Sequence, residues 1–235
     1  VIDPTNPNKY YGFIQNGSGL YFTNNSGNQL SGSISAPNDL SGNWITPLAI
    51  NSVGELFAGY NGVYKLINSS WQLVSNSLIT DGNLERITID KTNDDIIYIA
   101  DGRNLLKSED RGVNFFNCTT FSSNITSIEV NSNNNQIVYV STSGTGGSVF
   151  QSTNGGFSFT NIGAGLPLIA KTVVKHQGLH VLNPLYVGTT LGVYYKDDSL
   201  SEWVPYDTGL PNVTVTDIEI HEIDQKIVAS TYGRG

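Results

Sequence analysis

The sequence predicts an all-β chain assembled as a repeat array, a β-propeller of four-stranded antiparallel blades. Three observations lead there. An eight-residue stretch, Ser108 to Phe115 (S-E-D-R-G-V-N-F), returns in near-copy at Ser152 to Phe159 (S-T-N-G-G-F-S-F), with the shared form S-x-[DN]-x-G-x-x-[FW]. The apolar residue that opens the third strand of each unit, Leu20, Val63, Leu105, Val149 and Val193, recurs at intervals of 43, 42, 44 and 44 residues. Four short strands at such a spacing are the sequence form of propeller blades. Second strands such as Ile96 to Ile99 and Ile137 to Val140 are almost continuously apolar, as strands covered on both faces by neighbouring sheets must be.

In order, the blades are expected at 1–35, 43–76, 84–121, 124–163 and 170–207, with a partial one at 212–235. The first opens on the tail of a strand at Val1 to Pro4 and continues with Lys9 to Gln15, Gly19 to Thr23 and Gln29 to Ile34. The second takes Trp44 to Asn51, Glu55 to Tyr60, Gly62 to Ile67 and Trp71 to Ser75; the third takes Leu84 to Asp90, Ile96 to Ala100, Asn104 to Ser108 and Asn114 to Cys118. The fourth is Ile125 to Val130, Gln136 to Thr142, Ser148 to Ser152 and Ser158 to Ile162. Lys171 to Lys175, Pro184 to Thr189, Gly192 to Tyr195 and Trp203 to Tyr206 make the fifth, and Val213 to His221 with Lys226 to Thr231 start a sixth. The chain thus enters at the end of a first strand and stops before a third, and is expected to be about five and a half blades of a ring of roughly six to eight, or of a multi-propeller protein, with the rest of the same chain completing the ring.

Each position of the repeated stretch has a mechanical reason. Asp110 or Asn154 can accept backbone N–H groups of its own turn, Gly112 or Gly156 can take a positive φ, and Phe115 or Phe159 starts the next strand as an apolar anchor. Ser108 and Ser152 open the two turns. Degraded copies are read at Thr23 (with Asn25 and Gly27), at Asn68 to Trp71 with the loop shortened, and at Lys196 (with Asp198 and Trp203).

On these residues the chain resembles the Asp-box, or BNR, repeat family of β-propellers, which includes sialidases, xyloglucan-degrading glycosidases, sortilin-type receptors and many secreted bacterial proteins. The Asp3-to-Asn8 turn, Trp44-Ile45-Thr46-Pro47 and the closing Ser230-to-Gly235 stretch look like secreted Bacteroidetes propellers, many of them exported by the type IX system. The resemblance implies a secreted or cell-surface, noncatalytic module for binding or scaffolding, with a polysaccharide or an extracellular protein as partner. Its alternatives are a xyloglucanase-like glycoside hydrolase and a sortilin-like peptide binder.

Composition narrows the partners. Charged residues are only 14%, the net charge is −8 and the pI is near 4.7, so the surface is ill suited to tracking phosphates, and nucleic acid is not an expected partner. No apolar run has the length of a membrane span, and membrane insertion is not expected. The 26 asparagines and 25 glycines suit turn-rich β structure. One cysteine, Cys118, excludes an internal disulfide. The chain has no methionine, so it is expected to be a processed or excised piece.

Chemistry is less legible. The arginines are Arg86, Arg103, Arg111 and Arg234, with no F-R-I-P sequence, which speaks against a sialidase triad. A glycosidase carboxylate pair needs no signature beyond placement, and Asp81, Asp101 and Asp217 are the catalytic candidates. Each also reads structurally: Asp81 and Asp101 precede glycines in turns, and Asp217 alternates along a strand, the reading given precedence here. Asp94-Asp95 and Asp197-Asp198 read as solvated loop pairs. His176, His180 and His221 have no metal-ligand spacing, and neither metal nor cofactor is expected. Gly144 to Gly147 lacks a phosphate-loop ending and reads as a hairpin turn. Trp44, Trp71 and Trp203, with tyrosines such as Tyr10, Tyr11, Tyr194 and Tyr195, could form sugar platforms; Trp71 and Trp203 fall in or near the core slot of the repeat, and Tyr60 and Tyr232, each just after a second strand, are the candidates for ligand contact.

Overall fold

The computed structural model describes residues 1–206, 209 and 212–233. Asp207, at the end of the expected fifth blade, and Arg234 and Gly235, at the end of the closing stretch, lie outside the described residues. The chain is all-β, a partial β-propeller of successive antiparallel sheets in sequence order. Sheet 1 comprises β1 (Tyr10–Phe13), β2 (Gly19–Thr23) and β3 (Gly32–Ser35). Sheet 2 comprises β4 (Leu48–Ile50), β5 (Leu56–Gly59), β6 (Val63–Ile67) and β7 (Ser70–Leu73), and sheet 3 β8 (Arg86–Ile89), β9 (Ile97–Asp101), β10 (Asn104–Ser108) and β11 (Phe116–Thr120). Sheet 4 holds β12 (Ile125–Val130), β13 (Val138–Thr142), β14 (Val149–Ser152) and β15 (Thr160–Asn161). Sheet 5 holds β16 (Lys171–His176), β17 (Leu185–Thr189), β18 (Gly192–Lys196) and β19 (Val204–Pro205), and sheet 6 pairs β20 (Val215–His221) with β21 (Lys226–Thr231). Two compact units divide the chain, 1–117 and 118–235, the boundary falling inside β11.

The five period-marking residues, Leu20, Val63, Leu105, Val149 and Val193, are all buried. Within each unit the cores lie between consecutive sheets. Tyr11, Leu20, Leu56, Ala58 and Trp71 fill the space between sheets 1 and 2; Val63, Leu84, Ile87, Ile97 and Ile99 join sheets 2 and 3. In the second unit Val149, Val174, Val187 and Trp203 join sheets 4 and 5, and Val173, Val193, Val215 and Ile218 join sheets 5 and 6. Double coverage explains the unbroken burial of β5, β13 and β17, whereas β21 alternates between half-buried and exposed positions.

The repeated stretch folds around its hydroxyl. Ser108 Oγ donates to Asp110 Oδ1 at 2.8 Å and accepts the amides of Asp110 and Gly112 at 3.2 and 2.8 Å, while Asp110 Oδ1 accepts the Asn114 amide at 2.8 Å. Ser152 and Asn154 repeat every one of these bonds onto Gly156 and Ser158. Thr23, Asn25, Gly27 and Gln29 form the same turn in sheet 1. Gly112 and Gly156 sit at φ +88° and +96°, which a side chain would strain. The amide of Asn114, with its side-chain amide and the Ser108 hydroxyl, holds the Asp110 carboxyl below the usual carboxylate range.

Three expectations are corrected. Phe115 and Phe159 precede their strands rather than start them, because the turn engages amides as far as Asn114 and Ser158 and the ladder begins only afterwards. The first strand of sheet 2 starts at Leu48 and not at Trp44, which stands in a bend. The Lys196 copy does not form the turn. A lysine has no short hydroxyl to seat the amides; Asp197 instead accepts the Ser199 amide, and Asp198 is held by Asn183.

A second repeated device closes the first strands. Asp3, Asn51, Asp90 and Asn131 are buried, and each accepts the amide two residues on with its side-chain oxygen. Val1 and Asp3 also pair with Tyr11 and Lys9, so the expected strand tail at the start of the chain is present.

Candidate functional site

One edge of the first unit gathers the sequence-predicted carboxylates. It is formed by the strand-two-to-three hairpins and by the connectors between sheets. Gly42 donates its amide to the Asn16 carbonyl in the β1–β2 hairpin, and Asn16 donates to the carbonyl of Trp44 in the first connector. Asn43 Nδ2 donates to the Leu84 carbonyl at 3.0 Å, and Asn83 Nδ2 reaches back to the Ser41 carbonyl at 3.0 Å, so the first connector is tied to the second. Glu85, at the end of that second connector, accepts the Gly102 amide on Oε2 at 2.7 Å and thereby fixes the β9–β10 hairpin.

Asp81 is exposed on the second connector, and Asp101 is half-buried at the end of β9 opposite Asn104. Both therefore stand on this edge, with Glu85 between their elements. Asp217 belongs to the other unit, on β20 beside a register shift, where Oδ1 accepts the Ile218 amide at 2.9 Å. That bond lies next to the irregularity, between neighbouring residues of one strand.

The tryptophans separate by exposure. Trp44 is 71% exposed on the same edge as Asp81 and Asp101, whereas Trp71 and Trp203 are 8% and 3% exposed. Tyr60 is corrected as a ligand contact. It is fully buried, edge-on to Phe13 and Tyr64, and its hydroxyl donates to the Gly17 carbonyl at 2.6 Å. Burial pushes its phenol well above the ordinary range. Tyr232, in the second unit, follows β21 as Tyr60 follows β5, and it is 82% exposed.

The remaining candidates have structural partners. Asp94 accepts the amide and hydroxyl of Ser52 across to sheet 2 and Asp95 pairs with Arg111, both in contact with solvent, whereas Asp197 is buried and accepts the Tyr195 hydroxyl. Asn131 lies 3.2 Å from His176 Nε2, and His180 and His221 accept amides within their own turns. Among the described residues no three His, Cys, Asp or Glu gather as metal ligands. Gly144 accepts the Gly147 amide in the hairpin between β13 and β14. Sequence reasoning missed Glu85, Asn43 and Asn83. A signal existed, since Asn43 and Asn83 are separated by nearly one repeat interval, and equivalent connector positions are brought side by side by blade stacking.

Likeness to known proteins is found at the level of structure. No family model matches the chain, and no curated protein matches it. An ancestral GH74 enzyme superposes over 100% of this chain and 34% of its own, with a TM-score of 0.77 at 19% identity. The GH74 xyloglucanase from Xanthomonas campestris covers 79% of this chain and 33% of its own, TM-score 0.63 at 13% identity. The Niastella koreensis GH74 enzyme covers 86% and 45%, TM-score 0.52 at 18% identity. The likeness is one of fold. The chain spans a third to under half the length of these enzymes. Among the described residues no helix is long and apolar enough to cross a membrane.

Proposed function

We propose that this chain is a propeller portion of an extracellular, xyloglucanase-like glycoside hydrolase that engages a neutral polysaccharide along the edge carrying Trp44, Asp81 and Asp101. The observation that carries the reading is the exposed Trp44 indole on the same edge as the two carboxylates. It is joined by the likeness, over all of the chain, to a GH74 enzyme. The indole supplies a flat apolar face for a sugar ring. One carboxylic acid would protonate the departing glycosidic oxygen, and a second carboxylate would activate water or attack the anomeric carbon. Asp101, whose backbone is held by its hairpin, is the better-fixed of the two. The hydroxyl-centred turns support membership in the Asp-box propellers, with a secreted Bacteroidetes protein as the proposed source.

A noncatalytic binding module is the second reading. It is favoured by the commitment of Glu85 to the Gly102 amide in a hairpin and of Asp217 to the Ile218 amide within β20, which gives both carboxylates backbone partners.

Xyloglucan tests the readings in one experiment. The chain is expected to be retarded in a xyloglucan-containing gel, with retention weakened about tenfold in Trp44→Ala, the loss of roughly 1.4 kcal/mol of stacking, and the full-length protein that carries it is expected to release reducing ends, with release lost in Asp101→Asn. Retention without release selects the binding module. Neither retention nor release rejects both.

A further inference from the structure

The exposed tip of the candidate edge stands on a closely tied base. Trp44 and Ile45, 71% and 75% exposed, are the middle of a turn whose base is closed by Thr46, the hydroxyl of which donates to the Asn43 carbonyl at 2.9 Å. Thr46 itself is buried, wedged against Gly42 and Gly17, where its Oγ1 fills the place that a Cβ on either glycine would take. Asn16 donates its amide to the Trp44 carbonyl at 3.3 Å. Both projecting side chains stand in water, so what these bonds hold still is an exposed apolar surface.

From this turn a continuous chain of bonds runs to the carboxylates, all of it within the first unit. Asn43 Nδ2 donates to the Leu84 carbonyl at 3.0 Å, and Glu85, the next residue, takes the Gly102 amide beside Asp101 at 2.7 Å. Asn83, two residues after Asp81, returns the tie through its Nδ2 to the Ser41 carbonyl at 3.0 Å. The connector that carries Asp81 is held in turn by the Asn61 carbonyl, which accepts the Ile79 amide at 2.8 Å, and by the Tyr60 carbonyl, which accepts that of Leu84 at 2.8 Å.

An exposed loop tip is ordinarily mobile, and ordering one of its side chains on binding costs roughly two- to tenfold in affinity. A platform that is already still when the ligand arrives avoids that loss. Asparagine suits the task, because its neutral amide ties two backbones without bringing a charge beside an uncharged sugar. We propose that Asn43 and Asn83 are positioning residues of this edge, holding the Trp44 turn in register with Asp81 and Asp101 so that a neutral polysaccharide meets a preformed platform. The proposal rests on the reading of the edge as a polysaccharide site. It adds that the contribution of the indole depends on two asparagines acting through the backbone.

A double-mutant cycle tests it, with xyloglucan retention in a gel as the measurement. Asn43→Ala is expected to weaken retention about fivefold when Trp44 is present and to have no further effect in Trp44→Ala, because it acts only through the position of the indole. Asn83→Asp, which keeps the volume but loses the donor facing Ser41, is expected to behave in the same way. Asp94→Ala breaks the tie between sheets 2 and 3 at their opposite edge, at Ser52, and is expected to leave retention unchanged. Without any sugar, the backbone amide order parameter of Trp44 is expected to be about 0.85 in the unaltered chain and to fall below about 0.6 in Asn43→Ala. The proposal is overturned if Asn43→Ala weakens retention equally with and without the indole, or leaves it unchanged where Trp44→Ala weakens it. It is equally overturned if Asp94→Ala weakens retention as much, or if the order parameter does not fall. Failure of the edge reading shows in a different variant, Trp44→Ala retained as well as the unaltered chain, and the proposal then falls with it.

Discussion

Replacing Lys171 by methionine is expected to destabilise the second unit by about 3–5 kcal/mol, as an unfolding midpoint shift in urea with unchanged slope. Lys171 is 1% exposed, and its ammonium donates to three carbonyls: Gly147 at 2.7 Å, Pro167 at 2.7 Å and Ile169 at 2.8 Å. Three donors meet three acceptors, which satisfies the group completely. Burial alone pushes its pKa down, so the cation is retained through those carbonyls and would be costly without them. Methionine keeps the length of the side chain and leaves three carbonyls without their donor. Gly147, whose carbonyl takes one of these bonds, has no room for a side chain, since a Cβ there would run into the Thr142 carbonyl oxygen. A loss below about 1 kcal/mol would mean that water replaces the ammonium and that Lys171 is no lock.

The second large effect is expected at Tyr60. Tyr60→Ala empties a fully enclosed aromatic site between sheets 1 and 2 and should cost about 3–5 kcal/mol; Tyr60→Phe, which removes only the hydroxyl bonded to Gly17, should cost about 1–2 kcal/mol. Phe13, Tyr64 and Gly17 surround it; Gly17 takes φ +61°, open to glycine, and Thr46 Oγ1 is 2.6 Å from where a Cβ on it would lie. If Tyr60→Ala instead weakened xyloglucan retention with stability intact, the residue would be a ligand contact after all. The same burial sets an alkaline limit. Burial raises the phenols of Tyr60, Tyr64 and Tyr139, and takes Tyr186 to about 12. A phenol raised in the folded state contributes stability that is full below its ordinary value near 10, and lost as pH climbs from there through the folded value. The part of the tyrosinate absorbance at 295 nm that belongs to these buried phenols should therefore appear only together with loss of β-sheet circular dichroism above about pH 10; if the absorbance change of all 12 tyrosines were complete with the sheets intact, burial would not hold these phenols neutral.

Much of the fold was legible because a propeller repeats its local chemistry. Val63 and Val193 mark the same buried position, and Ser108 and Ser152 seat the same turn, since both signals arise within a few residues of chain. Strand ends were less legible. Phe115 looked like the first residue of a strand, and only the amide taken by Asp110 shows where the turn ends. Tyr60 and Tyr232 looked alike because each follows a second strand, but Tyr60 is covered by Phe13 and Gly17, more than 40 positions earlier in the chain. The candidate edge was half legible: Asp81 and Asp101 were identifiable as acids before glycines, whereas Glu85 and the Asn43–Asn83 ties depend on the stacking of separate sheets.

What the sequence by itself determined is the all-β repeat architecture, the spacing of its sheets and the hydroxyl-centred turns, because these follow from periodicity and from side chains bonding to neighbouring amides. Only the tertiary structure decided which aromatics face solvent, that Lys171 closes a carbonyl nest, and that Asn43 and Asn83 tie two connectors together. Apolar runs report the burial of whole strands, but the burial of a single loop aromatic such as Tyr60 is set by the neighbouring sheet and not by the residues beside it in sequence.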